Sequence, residues 1–491
     1  MEKISAQHCT NRLLKKGKKL GILKNSKAVD LTTGDPMKEI INFSIPLLLG
    51  NLAQQLYNTV DAIVVSRNVG DNALAAVGVS QPFISFLIIV FVAIATGAGV
   101  LVGQYYGAKD RELIGRTIST CNVLILVTSV IFTIIALVTI RPMLTLLNTP
   151  IEIFEMAYDY MFTIFLGLIF LSTYNMLTGM LRALGDSVFP LTALLVSTVI
   201  NIFLDILFVS RFHWNTFGVA FATVISQGIS AVMCIVRLNS MKEVFDISKK
   251  PFAYDRGIAK NILKIGFPNA ITQGVFSIAM LLIQGLYNSF GSLVVTANTT
   301  VMRIDGFVML PTFTFGIAST TFTAQNVGAR KFDRVREGAV ATLKIGLSTA
   351  ITLSLLIFIF GRDIAKIFTD TDLVLDLCSE FIRVLSIGYV LFVLTQVFGG
   401  VMRGAGNSVT PMWISIFSVV ILRTPLAYIL VELSKTVAAP LGNPVMINVA
   451  HSISWCVGGI LSTIMFKRGA WKRRINAIKY TDEVDPIIED I

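Results

Sequence analysis

Apolar residues run along this chain in stretches of roughly 20 to 30, twelve in all, separated by short polar segments. At 1.5 Å of rise per helical residue, such a stretch crosses a hydrocarbon layer about 30 Å thick. The stretches lack the period-two alternation of a barrel strand, and a helix satisfies its own backbone hydrogen bonds in lipid. The pattern predicts spans at about 39–65, 73–104, 117–140, 156–180, 188–210 and 216–236, then at about 265–290, 293–325, 340–360, 376–401, 409–430 and 446–466. Spans 2 and 8 are long for one crossing, so they are expected to tilt or to extend beyond the bilayer.

The second half of the chain repeats the first at a shift of 221 residues, the separation of Gln104 and Gln325. After span 2 stand Gln104, Gly107 and Ala108; after span 8 stand Gln325, Gly328 and Ala329. Gly179, Arg182, Gly185, Ser187, Val188 and Pro190 follow span 4, and Gly400, Arg403, Gly406, Ser408, Val409 and Pro411 follow span 10. Six spans is an even number, so both halves enter the membrane from the same side and the repeat is parallel. The predicted fold is therefore an all-α polytopic membrane protein, with twelve transmembrane helices in two six-helix lobes related by a pseudo-two-fold along the membrane normal. Its parts are a basic N-terminal segment (1–38), an N-lobe (39–236), a linker (237–264), a C-lobe (265–466) and a C-terminal tail (467–491). Gly185 and Gly406 suit tight turns, and Pro190 and Pro411 suit the first turn of the next helix. Pro46, Pro268 and Pro311 fall inside spans and are candidates to kink them.

Composition agrees: 54% of the 491 residues are hydrophobic and 14% charged, too few polar groups to cover a water-facing surface. The net charge of +11 suggests nucleic acid only until it is placed along the chain. Most Lys and Arg fall in alternate loops and in the termini, which is the positive-inside bias and assigns both termini and the linker to the cytoplasm of a cell (inner or plasma) membrane. No nucleic-acid partner is expected. No apolar core precedes span 1, so no cleavable signal peptide is expected, and Lys15, Lys16, Lys18 and Lys19 read as a topology signal or a contact with anionic lipid. Cys9, Cys121, Cys234, Cys378 and Cys456 lack metal-ligand spacing and read as packing residues.

An ionised side chain at mid-membrane costs about 2.5 to 3.5 kcal/mol by insertion scales and asks for a partner, a wet cavity or a task. Asp61 in span 1 and Asp205 in span 5 are such residues, and Asn201, four before Asp205, shares its helical face. At the 221 shift Asp205 becomes Leu426, Asn201 becomes Leu422 and Asp61 becomes Leu282. The scaffold is duplicated but the carboxylates are not, which favours chemistry confined to one lobe. The second lobe has its own set: Arg303 and Asp305 in span 8, Arg383 in span 10 and Arg423 in span 11, with interhelical pairing or snorkelling weighed equally against cavity lining. His451 in span 12 reads as a packed histidine.

These features together resemble the multidrug and toxic compound extrusion (MATE) transporters of prokaryotes, from Leu31 to about Arg468. The resemblance is carried by Ser44-Ile45-Pro46 at the start of span 1, Asp61 near its end, Gln104 to Gly107 with Ala108-Lys109, Arg182-Ala183-Leu184-Gly185-Asp186, and Asn201 to Asp205. It implies a cation-coupling site at Asp61, Asn175, Asn201, Asp205 and Thr223, where hard oxygen ligands would take Na+ or a carboxylate would take H+. Arg303, Asp305 and Arg383 are candidates to line a cavity in the C-lobe. The activity implied is exchange of organic cations for Na+ or H+ by alternating access, with membrane lipid as surroundings, no cofactor and a monomer expected. Neither a phosphate-binding Gly-x-x-x-x-Gly-Lys loop nor a His-Glu-x-x-His motif occurs, so an ion gradient rather than ATP is expected to drive it, unless a partner chain supplies hydrolysis. The alternative within the superfamily is a lipid-linked oligosaccharide flippase, kept open by Arg303, Arg383 and Arg423. A membrane-embedded enzyme finds no recognisable constellation.

Overall fold

A computed structural model describes residues 29–241, 244–245, 251–437 and 439–472, and all its regular elements are helices. Cys9, the lysines from Lys15 to Lys19 and the tail beyond 472 lie outside the described residues. Ten helices are long and apolar enough to cross a membrane, and a bent pair, Ile151–Leu166 with Leu168–Ala183, makes an eleventh crossing. Pro36–Asn68, at 33 residues, is long enough but more polar, and completes the twelve predicted spans. We number them span 1 (Pro36–Asn68), 2 (Asp71–Gly107), 3 (Arg111–Leu146), 4 (the bent pair), 5 (Val188–Arg211), 6 (Asn215–Ser240), 7 (Arg256–Asn288), 8 (Ser292–Gly328), 9 (Phe332–Ala365), 10 (Asp372–Gly404), 11 (Val409–Leu433) and 12 (Val445–Lys467).

Several helices extend past their apolar cores because a helix in water still makes its own hydrogen bonds; span 3 begins at Arg111, with Asp110 accepting from Leu113 N at 2.9 Å, although its apolar run starts later. Span 4 bends by 52° at Gly167, where a side chain would press on Val224 of span 6. Span 8 breaks at Met309, between Val308 and Leu310, because Pro311 brings no N–H to the preceding turn and its ring crowds the carbonyl four residues before it. Spans 5 and 11 each contain a π-helical segment, Leu207–Arg211 and Ile416–Arg423.

The chain forms two compact units, one mainly Ile41–Val102 with Asp110–Ala259, the other Gly34–Ile40, Gly103–Lys109 and the chain from Lys260 onward. In the first, span 3 turns Leu126, Val127, Val130, Ile131, Ile134, Ile135 and Val138 outward, a stripe at three- and four-residue spacing. It is the inverse of a soluble helix: bulky aliphatics meet lipid, while Ser129, Ala136 and Ile140 face inward. Lipid gives helices no hydrophobic reason to associate, so packing and interhelical hydrogen bonds must hold them. Thr133 Oγ1, for example, donates to Phe165 O at 3.1 Å across to span 4.

The turn before span 5 is built by Gly185, whose φ of +85° favours glycine and whose carbonyl accepts Val29 N at 3.0 Å. Its repeat partner Gly406 has φ +84°. Asp186, beside Gly185, accepts Phe189 N at 3.0 Å through one carboxylate oxygen and Arg237 Nε at 2.7 Å through the other, both residues being buried. In the second unit Asn407 stands at the Asp186 position: it accepts Thr410 N at 3.2 Å and donates to Ala470 O at 2.8 Å. One corner is closed by an ion pair, its repeat by amide bonds.

The second unit is organised around span 10, whose Phe381, Leu385, Tyr389 and Phe392 pack with Trp455 of span 12 in one hydrophobic core. Within this unit Gly103–Lys109, the end of span 2, lies against the ends of spans 8 and 10. Gln104 Nε2 donates to Gly404 O at 2.9 Å. A Cβ on Gly107 would collide with the carbonyl of Gln325, and one on Gly328 with the carbonyl of Gln104, so each repeated glycine admits the backbone of the other copy's glutamine. Cys121, Cys234 and Cys378 are buried and free.

Candidate functional site

In the first unit, Asp61 of span 1 and Asp205 of span 5 bring their carboxyl groups within hydrogen-bonding reach of each other. Asp205 is fully buried and Asp61 half-buried. Three of their four oxygens, Asp61 Oδ1 and both of Asp205, are buried and receive no hydrogen bond from any described donor. Two carboxylates this close cannot both stay ionised without a positive charge between them. Span 5 positions the pair: one turn before Asp205, Asn201 is fully buried with both amide atoms unpartnered, and just after it the helix loosens into the π segment from Leu207. Such segments often accompany functional residues, because the widened turn re-aims the side chains beside it.

Two tyrosines absent from the predicted set complete the surroundings. Tyr57, one helical turn before Asp61, lies beside both carboxylates and beside Thr223, whose hydroxyl donates to Val219 O at 3.1 Å. Tyr160 of span 4, 4% exposed, also lies in their field. The spacing of four between Tyr57 and Asp61 was a usable signal; nothing in the sequence marks Tyr160. Of the predicted residues, Asp61, Asn201 and Asp205 form the centre, and Thr223 stands beside Tyr57 at its edge. Asn175, half-buried on the second half of span 4, spends its amide donor on Leu171 O at 2.9 Å, leaving its carbonyl as the group a cation could use. Carboxylates, amide carbonyls and hydroxyls are the ligands a hard monovalent cation accepts. Among the described residues no group of three or more His, Cys, Asp and Glu forms a metal-binding cluster.

The second unit treats its charged residues differently. Asp305 is half-buried and accepts a hydrogen bond from the Tyr389 hydroxyl. Arg303 and Arg383 are exposed, each guanidinium 6.0 Å from an aromatic ring centroid, Phe368 and Phe358. Arg423 is 1% exposed, and the His451 ring lies 4.2 Å from that of Trp455, tilted by 56°.

A bundle of membrane-spanning helices around a buried carboxylate pair defines the class of a polytopic membrane transporter. Residues 46–207 and 267–429 match the MatE family, one segment in each half, and the chain belongs to that family. It is 29% identical over 400 residues to the probable multidrug resistance protein YoeA of Bacillus subtilis, covering 80% of this chain and 86% of the relative. To the probable multidrug resistance protein YpnP of the same organism it is 27% identical over 447 residues, covering 91% and 98%. Among solved structures, a MATE crystal structure in the straight conformation aligns at a TM-score of 0.82 with 26% identity, over 92% of this chain and 99% of that one.

Proposed function

We propose that the protein exports amphipathic organic cations across the plasma membrane in exchange for Na+ or H+, by alternating access of its two lobes. The observation that carries this is the Asp61–Asp205 pair, three of whose four carboxyl oxygens are buried with no donor among the described residues. A proton, a sodium ion or an organic cation can each neutralise it, so the three compete. If the inward ion favours the conformation that releases drug, and drug binding needs the carboxylates free, exchange follows from linkage. Asn201, Thr223 and the Asn175 carbonyl supply further oxygens for a bound cation, the Thr223 hydroxyl being oriented by its bond to Val219 O. The names of the bacterial relatives support multidrug compounds as cargo, and they do not favour the flippase alternative. The protein acts as a monomer and needs no cofactor.

Expression in a pump-deficient bacterium is expected to lower the accumulation of a fluorescent lipophilic cation, and collapsing the ion gradients to restore it. Unchanged accumulation across a broad panel, together with flipping of a lipid-linked sugar, would replace this reading with the flippase. Orientation has its own test, since both termini and the linker are placed in the cytoplasm. An impermeant thiol reagent applied to intact cells is expected to label a cysteine at Ser292, which is exposed, and not one at Ser248, which lies outside the described residues. The reverse pattern inverts the topology.

A further inference from the structure

Where the start of span 1 meets the start of span 9, the second unit carries a surface groove of about 490 Å³. Arg334 of span 9 fastens its two walls, donating from Nη1 to Gly34 O at 2.7 Å. Met37 and Val340 line the groove with apolar surface, and its charges are balanced, Arg336 and Lys344 against Asp35 and Glu337. All four charged residues are exposed, and none enters an ion pair among the described residues. Depth orders these groups. Span 9 has no charged residue from Ile345 to Phe360, so Lys344 stands at the border of the hydrocarbon, while Glu337 lies seven residues, about 10 Å of helical rise, further out. Arg336, Val340 and Lys344, four apart, share one face, and that face continues into the apolar stretch as Ile351, Leu355 and Phe358, all exposed. It repeats the outward stripe of span 3, since Val130 and Ile134 become Ile351 and Leu355 at the shift of 221. The charges are not repeated: Gly115 and Val123 stand where Arg336 and Lys344 do. In the first unit the linker covers that part of span 3 instead, with Asn122 Nδ2 donating to Pro251 O at 3.1 Å and Asp255 N to Thr120 Oγ1 at 3.2 Å.

A groove with both signs of charge at its outer end and a lipid-facing apolar stripe at its inner end fits a zwitterionic lipid better than a soluble ion. We propose that it binds the headgroup of a phosphatidylethanolamine molecule, with Lys344 and Arg336 on the phosphate and Glu337 and Asp35 on the ammonium. The headgroup carries its phosphate next to the acyl chains and its ammonium beyond, the order in which Lys344 and then Glu337 are met from the hydrocarbon outward. Phosphate accepts charge-assisted hydrogen bonds from guanidinium and lysine donors. A primary ammonium has three N–H groups to give to carboxylates. Asp35 retains capacity for this, since only Oδ2 is taken up, accepting Lys38 N at 3.0 Å. A basic rim alone attracts any anionic lipid, and the two carboxylates are what turn this one toward a zwitterion. Phosphatidylglycerol would leave them facing a neutral alcohol, and the quaternary nitrogen of phosphatidylcholine has no N–H to donate. The site rests on the membrane-spanning fold and not on what the protein transports.

Native mass spectrometry of the purified full chain tests this, by titration in detergent with phosphatidylethanolamine, phosphatidylcholine and phosphatidylglycerol of identical acyl chains. The ethanolamine lipid is expected to bind about tenfold more tightly than either of the others. Lys344→Gln is expected to abolish that preference. Asp35→Asn combined with Glu337→Gln is expected to reverse it in favour of phosphatidylglycerol, and Glu337→Gln alone to reduce it, which covers the case in which a change at Asp35 unsettles the start of span 1. Equal binding of the three lipids by the wild type overturns the proposal. Tighter binding of phosphatidylglycerol by the wild type also overturns it and leaves a rim that holds anionic lipid without regard to headgroup. A wild-type preference that none of these substitutions moves places the lipid elsewhere. If the preference appears only when residues 473–491, which lie outside the described residues, are removed, the groove belongs to the chain's own tail and the proposal fails.

Discussion

Asp205→Asn is expected to reach the membrane at wild-type levels and to lose gradient-driven efflux. The substitution keeps the size and hydrogen-bonding capacity of the side chain but removes its charge, so the pair with Asp61 no longer needs a cation between its members. One charge moved through 100 mV yields about 2.3 kcal/mol, on the order of a fortyfold concentration ratio, and this is the gradient of drug that Asp205→Asn forfeits for each coupled charge. Asp61→Asn is expected to follow it, because the coupling lies in the pair. Asp305→Asn is expected to lose less, since Asp305 already has Tyr389 as donor and sits in the other unit. Efflux of a fluorescent cation from energised vesicles, normalised to protein in the membrane, measures all three. Full ion-dependent transport by Asp205→Asn would refute the mechanism.

Arg237→Met is expected to destabilise the first unit by about 3 to 5 kcal/mol, the cost of leaving one member of a buried ion pair without the other. Asp186 would keep its bond to Phe189 N but carry an uncompensated charge, its side chain being 1% exposed. Asp186→Asn should cost less, because the repeat shows an amide doing the same work at Asn407. Combining Asp186→Asn with Arg237→Met is expected to recover part of the loss, so the two effects are not additive. Thermal unfolding in detergent measures the series; a drop for Asp186→Asn as large as that for Arg237→Met would show that the neutral residue cannot substitute.

The spans were legible because each is a long apolar run, and the repeat because its motifs recur at one shift. The break in span 8 was foreshadowed by Pro311. The bend in span 4 was not, since Gly167 meets Val224 of a different span and only tertiary packing brings them together. The π segments left no sequence mark either. In the site, the cost of burying charge made Asp61 and Asp205 visible, and Asn201 followed from helical spacing. Tyr57 could have been found by the same spacing, while Tyr160 could not, being uncharged and in another span. Arg237 illustrates the opposite failure: read as one more basic residue of a cytoplasmic segment, it is buried against Asp186, because loop charge predicts sidedness and says nothing of partners.

The reciprocal seating of Gly107 and Gly328 bears on how the two halves of the gene can drift. A lone duplicated glycine could be lost while its twin was kept, but here any side chain at either position strikes the main chain of the other copy, and main chain cannot be mutated away. Selection therefore acts on both copies of the Gln-x-x-Gly motif as one character. The carboxylates face no such mutual constraint, and only one half retains them. Ancestry is recorded where the duplicated segments meet, and division of labour where they do not.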